Sequence, residues 1–313
     1  MLGLDIGGTQ IKAALVNSQG DIIASQRAST PRSLSDFNRA LKALMKKLDL
    51  QAATIRGAGI GCKGIIDHRT TEILALPGDL HYLEGRLLSR IIAPLLPVPC
   101  PVAADNDARV ALVGEWRWGA ARGRENAIML TLGTGVGGAV LSEGRIIRGP
   151  GGVAGHLGHI TVAPEGAVCI CGNQGCLETV FSARAIESEA SAAIHRGVKT
   201  TLHNVRSRPL TSSDVFECAR AGDKVARLIV ERAVLVLGSA IAGLVHVFDP
   251  EVVILGGQIA QAEDFLFAPI QHEIDWRTKT FLRRKVPVVQ AQVADPSGVV
   301  GAAALAIEAA TQN

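Results

Sequence analysis

The sequence of 313 residues lacks any strong charge imbalance: its formal net charge is +3, and its densest basic stretches are only Lys46-Lys47 and Arg283-Arg284-Lys285. Bulk electrostatic attraction to nucleic acid or an acidic surface is therefore not expected. A secretory leader is not expected either, because Asp5 interrupts the apolar opening and no basic segment precedes it. The uncharged stretch Ala233–Phe248 is shorter than a membrane span and carries Gly238, Ser239, Gly243 and His246. It reads as a helix buried on most sides, so no membrane partner is expected. No low-complexity linker divides the chain. The cysteines form no disulfide framework: Cys62, Cys100 and Cys218 are scattered, whereas Cys169, Cys171 and Cys176 crowd together. That is a metal-binding pattern and suits a reducing cytoplasm.

What the chain does have is an ordinary globular composition, 48% hydrophobic and 19% charged, with length for two medium domains or one large one. It also has a glycine hairpin that occurs twice. Leu2–Ile23 reads LGLDIGGTQIKAALVNSQGDII, and Ile128–Ile147 reads IMLTLGTGVGGAVLSEGRII. Each is an apolar strand, a turn of small residues and a returning strand. Two such turns can offer backbone N–H groups to a polyphosphate from both sides. The duplication suggests a two-lobed enzyme that uses a nucleotide.

Along the chain, the first hairpin is followed by a strand at Ile22–Ala28 and a helix over Ser33–Leu48. Leu34, Phe37, Leu41, Leu44, Met45 and Leu48 share one face of that helix. A strand at Gly57–Cys62, a helix over Gly85–Leu96 and a strand at Val98–Ala104 are expected next, the last delivering Asp105-Asn106-Asp107. A helix then passes through Glu115 and Trp116, and the GAARGREN composition of Gly119–Asn126 marks the domain boundary. The second half restarts at Ala127. It continues through the cysteine cluster, helical sequence over Ala183–Val247, strands at Glu251–Gly257 and Val286–Val293, and a final helix over Ser297–Ala310.

The motifs DIGGTQIKAALV, DNDARVALVGEW, LTLGTGVGGAVL, GGVAGHLGHITV and CICGNQGCLE resemble, in order and over essentially the whole chain, the signatures of the ROK family. That family groups bacterial sugar kinases with related repressors. The resemblance implies an α/β fold of the actin-like ATPase (ribonuclease-H-like) type, with two lobes and an interlobe cleft that closes on ATP and a sugar. The lobes are expected at 1–118 with the C-terminal helix 297–313, and at 119–296 with the zinc loop.

Phosphoryl transfer to a sugar hydroxyl needs phosphate positioning, a metal and a base. Asp5 beside Gly7, Gly8 and Thr9 suits the first need, and the resemblance puts Asp5 near Mg²⁺ and the phosphates. Gly133, Thr134 and Gly135 form the matching second turn, and Gly256-Gly257-Gln258 is expected near the adenosine. Lys12 reads as a surface-strand residue. Asp107, after a strand and at a helix start, is the choice for general base, although Asp105, Asn106 and Asp107 are all helix-cap types. By resemblance Asn106 contacts the sugar, Gly64 lies in its loop, and Glu178 binds its hydroxyls. The family usually has Glu at the place of Asp105.

His159, Cys169, Cys171 and Cys176 make a Cys₃His set for a structural, tetrahedral Zn²⁺, with Gly172 and Gly175 for tight turns. The zinc loop would fix His159 and Glu178 near the sugar. Ile170 replaces a common family Gly. Two further departures stand out. His156 occupies a slot that is usually Glu in the family's glucokinases, and HxGH also occurs in kinases resembling N-acetylmannosamine kinase. Lys63, in GCKGIID, replaces a frequent Pro-Gly; it either contacts a substrate anion or points to solvent, with solvent the favoured expectation.

Three functions compete: an ATP-dependent hexose kinase acting at the 6-hydroxyl, a repressor, and a non-catalytic sugar sensor. The first hairpin starts too early for a preceding DNA-binding motif, and Asp5, Asn106 and Asp107 argue against a dead sensor. Among sugars, glucose stands slightly ahead of N-acetylmannosamine. A cytoplasmic homodimer using ATP, Mg²⁺ and structural Zn²⁺ is expected, with no nucleic-acid partner.

Overall fold

A computed structural model describes residues 1–49, 55–76, 78, 80–205, 208–293 and 298–311. The chain divides into two compact units. One comprises Met1–Arg124, Ala139–Gly155 and Ala291–Asn313, and the other Glu125–Gly138 and His156–Gln290.

The first sheet runs β3-β2-β1-β4-β7. Its strands are β1 (Leu2–Ile6), β2 (Gln10–Val16), β3 (Ile22–Ser29), β4 (Ala58–Cys62) and β7 (Val102–Asn106). The hairpin β1-β2 is antiparallel, whereas β1, β4 and β7 are mutually parallel. A second sheet repeats this order as β10-β9-β8-β11-β12. It contains β8 (Ala127–Leu132), β9 (Val136–Ser142), β10 (Arg145–Ile146), β11 (Val252–Gly256) and β12 (Val288–Gln290), with β8, β11 and β12 parallel. The repeat read in the glycine hairpins is thus a repeat of whole sheets.

Helix α1 (Leu34–Lys47) starts where Ser33 accepts from Asp36 N, and it buries Phe37, Leu41, Leu44 and Met45 against Leu2, Leu4, Ile6 and Ile60. Each such side chain contributes about 1.5–3 kcal/mol. Helix α3 (Asp107–Trp118) follows β7 directly.

The last helix, α9 (Val299–Thr311), lies on the first sheet at backbone distance. A Cβ on Gly3 would stand 2.0 Å from the Val299 carbonyl oxygen, one on Gly59 1.7 Å from that of Ala302, and one on Gly301 2.2 Å from that of Val110 in α3. Only glycine fits at these crossings. Ser297, the expected start of this helix, lies outside the described residues.

Several expectations are corrected. The segment expected as a helix over Gly85–Leu96 holds only the short helix α2 (Leu88–Ile92) and a 3₁₀ turn at Ala93–Leu95. A hairpin of β5 (Ile65–Asp67) and β6 (Glu72–Ala75) claims the residues before it, through Ile73 N to Arg86 O and Leu88 N to Thr71 O. The strand expected from Val98 starts at Val102, because Pro99 and Pro101 have no N–H to give a ladder, and it runs on through Asp105 and Asn106. The strand expected over Val286–Val293 shortens to β12.

The stretch Ala233–Phe248 belongs to a longer helix, α7 (Lys224–Phe248), which packs against α6 (Ser212–Arg220) and α8 (Glu263–Thr278). Length and composition alone would let it cross a membrane, but Val234, Leu237, Ile241 and Val245 are core residues. Leu235 and Val247 remain exposed, so the helix is less enclosed than its composition suggested.

Gly59→Ala should lower stability by about 3 kcal/mol, because the new methyl meets backbone that cannot swing away. Gly133→Ala, whose Cβ would meet nothing within 4 Å, should leave the denaturation midpoint unchanged. Equal midpoints for native protein and Gly59→Ala in urea would contradict this packing.

Candidate active site

In the first unit, sheet register brings the relevant residues into one row. Ile6 pairs with Cys62 and Cys62 with Asn106, so the three parallel strands end together. The next residues are Gly7, Lys63 and Asp107. Ligands of parallel sheets gather beyond this edge of the strands.

Asp5 sits one residue before the end of β1, opposite Lys12 of β2. Its carboxyl carbon lies 3.6 Å from where a Cβ on Gly298 would stand, just ahead of α9. The turn after β1 is closed by Gly7 N to Gln10 O at 3.0 Å, and it is tied to β3 by Thr30, whose hydroxyl donates to Gly7 O at 2.8 Å. Gly8 and Thr9 are exposed. A Cβ on Gly8 would make only an ordinary 3.5 Å contact with Lys63 Nζ. Packing therefore does not require glycine there, and its bare backbone leaves room for a ligand. Lys63, expected to point to solvent, is instead half-buried beside this turn.

Of the three cap candidates, Asn106 is the one that caps α3: its Oδ1 accepts from Ala108 N at 3.0 Å and Arg109 N at 3.4 Å. Its Nδ2 donates to Gly64 O at 3.0 Å, fixing the loop after β4, where Gly64 has φ +93°. These bonds occupy much of the amide's hydrogen-bonding capacity. Asp107, the first residue of α3, keeps exposed area. The protein packed around its carboxyl nevertheless raises its pKa above the ordinary value; bonds from Ala108 and Asn106 and the Lys63 charge act in the opposite sense.

A buried ion network holds this row, and sequence reasoning missed it. Asp105 and Arg109 pair at 3.1 Å with essentially no solvent exposure, and Arg148 Nε reaches the other Asp105 oxygen at 2.6 Å. Arg109 Nη2 also donates to Gly152 O and Ala154 O, both at 2.6 Å. The i,i+4 spacing of Asp105 and Arg109 was a visible signal; the partners in residues 148–154 were not.

In the second unit, the turn after β8 has Gly133 N donating to Gly135 O at 3.0 Å, with Thr134 exposed. Glu178 Oε2 accepts from Val136 N at 2.9 Å and lies 2.2 Å from the Cβ position of Gly135, so that glycine makes room for the carboxylate. Gly257, after β11 ends at Gly256, has φ +88° and would place a Cβ 2.4 Å from Leu132 O, so local packing already requires it.

His156 precedes the 3₁₀ turn Leu157–His159, and its ring stacks with that of His159 at a 6.3 Å centroid separation. Gly158 separates them because a Cβ there would stand 1.8 Å from Val136 O. His159, Cys169, Cys171 and Cys176 have ligand atoms all within 4.8 Å of one another. Cys171 Sγ and Cys176 Sγ are 3.7 Å apart, and Cys169 Sγ is 3.5 Å from His159 Nδ1. A tetrahedral zinc with bonds of about 2.3 Å to sulfur and about 2.0 Å to nitrogen has edges of about 3.8 and 3.5 Å. The donor set fits that ion. Gly172 and Gly175 both have positive φ, as tight turns between ligands require.

The ROK family model matches residues 1–309. A glucokinase of Thermotoga maritima is 32% identical over 97% of this chain and 96% of its own. An N-acetylmannosamine kinase of Escherichia fergusonii is also 32% identical, over 97% of each chain. Among solved structures, a ROK family glucokinase from Streptomyces griseus in complex with glucose and AMPPNP superposes with TM-score 0.83, at 32% identity over 98% of this chain and 99% of that one. The doubled sheet order is that of the actin-like ATPase fold these structures share. With that fold, and with a match embracing both glycine turns and the cysteine loop, the chain belongs to the ROK family.

Proposed function

We propose that this protein is an ATP-dependent hexose kinase that phosphorylates the 6-hydroxyl of its sugar. The observation that carries the reading is the row at the strand ends: an open glycine turn, a lysine and the carboxylate of Asp107 side by side. Named relatives of two sugar-kinase kinds support it. The backbone of Gly7, Gly8 and Thr9, with that of Gly133, Thr134 and Gly135, takes the phosphates. Gly256 and Gly257 lie toward the adenosine. Asp107 accepts the hydroxyl proton as the sugar oxygen attacks the γ-phosphorus and the bond to the β–γ bridging oxygen breaks, releasing ADP. Asn106 and the Gly64 loop hold Asp107 in place and meet the sugar, while His156, His159 and Glu178 address its hydroxyls.

Asp5 offers carboxylate oxygens, which suit Mg²⁺; the bound ion neutralises phosphate charge. His159, Cys169, Cys171 and Cys176 hold a structural Zn²⁺, supported by the tetrahedral spacing of their ligand atoms. A reducing cytoplasm, which keeps those thiols free, belongs to the same proposal. So does a homodimer, for which exposed Leu235, Val247, Trp276 and Phe281 supply apolar surface. The lobes are proposed as 1–118 with 297–313, and 119–296. Glucose is favoured. N-acetylmannosamine is the second reading, carried by His156, which when neutral offers one donor and one acceptor where a glutamate only accepts.

Asp107→Asn should abolish sugar-dependent ADP release while leaving sugar affinity within about tenfold. It should also raise thermal stability at neutral pH. The folded-state pKa of Asp107 is raised, so the native protein holds this proton more tightly than the unfolded chain. The penalty of ionising it is complete above the folded pKa and vanishes as pH falls below the unfolded value. The stability gain should therefore shrink on acidification. Native-like turnover in the variant would leave Asp107 with no part in proton transfer.

Elemental analysis of fresh protein should find one zinc per chain. Substituting Cys171 should remove it and lower both stability and activity. Unaltered activity after complete zinc removal would contradict the role given to the loop.

His156→Glu should raise kcat/KM for glucose relative to N-acetylmannosamine by roughly ten- to a hundredfold, the cost of an unmatched polar partner. An unchanged ratio would mean that His156 does not read the C2 substituent.

A further inference from the structure

Lys63 occupies the middle of the row formed by the strand ends. It directly follows β4, between Gly7 after β1 and Asp107 after β7. Its Nζ lies 3.5 Å from the Cβ position of Gly8 and 3.7 Å from that of Gly78, so the half-buried ammonium stands between the glycine turn and Gly78. The neighbouring groups are chiefly anionic or can become so. Asp107 and Asp5 both act on the thiol of Cys62, which burial already holds well above the ordinary range, and the Lys63 charge opposes that rise. The same charge favours the ionised form of Asp107. A positive charge set against a bare backbone turn on one side and a carboxylate base on the other is arranged for an anion in transit. An ammonium on a flexible stem can follow that anion through its motion.

We infer that Lys63 is a further catalytic residue, whose ammonium holds the γ-phosphoryl group between the Gly8 turn and Asp107 while that group passes from ADP to the sugar oxygen. The inference rests on the kinase reading above. In the step, the sugar oxygen bonds to phosphorus as the bond from phosphorus to the bridging oxygen breaks. The bonding pair leaves with ADP, and the hydroxyl proton goes to Asp107. In the loose transition state the charge of the transferring group is spread over its three equatorial oxygens, and that is where Lys63 acts. Before the step, the Lys63 charge favours the proton-accepting form of Asp107 against the burial that raises its pKa.

The test compares the native chain with Lys63→Met and Lys63→Arg. Steady-state kinetics with ATP and hexose are measured together with equilibrium binding of AMPPNP and of ADP, each with Mg²⁺. In Lys63→Met, kcat should fall by about 10²-fold, the usual loss for one group that meets developing charge, while KM for the sugar stays within about threefold. Affinity for AMPPNP should fall about tenfold while that for ADP is unchanged, because only the former carries a γ-phosphoryl group. The acid limb of kcat should move to higher pH, since a lost positive neighbour raises the Asp107 carboxyl further. Lys63→Arg should restore much of kcat.

A kcat within about threefold of native in Lys63→Met overturns the inference and leaves the kinase reading standing. Equal losses for AMPPNP and ADP also overturn it, by reducing Lys63 to a structural support of the turn. Native protein that releases no ADP in response to any hexose overturns the kinase reading and this inference together.

Discussion

The first unit depends on one close approach: α9 crosses β1, β4 and α3 at distances that admit no side chain. Gly3, Gly59 and Gly301 are points where backbone meets backbone most tightly. The ladder pairing sets the ends of β1, β4 and β7 in common register, and α9 packs against β1, β4 and the α3 that starts beside them. The order Gly7, Lys63, Asp107 is a property of that register. No direct bond among the three residues is needed to create it. Dispersion and exclusion of water hold the contact, and native packing density makes it stiff.

Around this frame, charges fix the details. Asn106 spends its amide on the α3 N-terminus and the Gly64 carbonyl, which leaves Asp107 to face outward. Arg109, without solvent, binds Asp105 and two carbonyls of the chain at 152–154. Replacing one partner of such a buried set leaves an uncompensated charge, whereas the complete set mainly enforces geometry. In the second unit a different device serves the same end: Glu178 follows the cysteine loop and grips the glycine turn at Val136. A metal at the cysteines would thus stiffen the segment that carries this carboxylate.

Much of this was legible in the sequence, for identifiable reasons. The hairpins announced themselves because small residues and apolar alternation are local signals, and the repeat of those signals foretold the repeat of the sheets. The cysteine loop was legible because ligand spacing and glycine turns lie within a few residues. Helix α1 was readable from its apolar face. The failures were non-local. The β5-β6 hairpin has strands of three and four residues, too short for alternation to register, and it drew residues out of the expected helix. For Lys63 the sequence favours solvent over an anion contact because nothing nearby in the chain reveals the strands flanking β4. Beyond the i,i+4 pair with Asp105, the Arg109 network reaches residues 43 and 45 positions away, and a chain read locally offers no sign of those partners. Asp105, Asn106 and Asp107 were correctly seen as a set, but only the path of β7 into α3 divides the labour among them.

The crossing of α9 also bears on how the protein is made. The first unit is assembled from three separate stretches of chain, and its sheet receives α9 from residues 299–311, after the whole second unit has been written. Strands β1 and β4 therefore leave the ribosome long before α9 and must wait with bare glycine grooves until it has emerged. The second unit, complete once Gln290 is out, is free to fold first. Of the two units, the one begun earlier is then the one finished later. Such long-range closure is intrinsically slow, and it lengthens the interval during which a half-built sheet must avoid other partners.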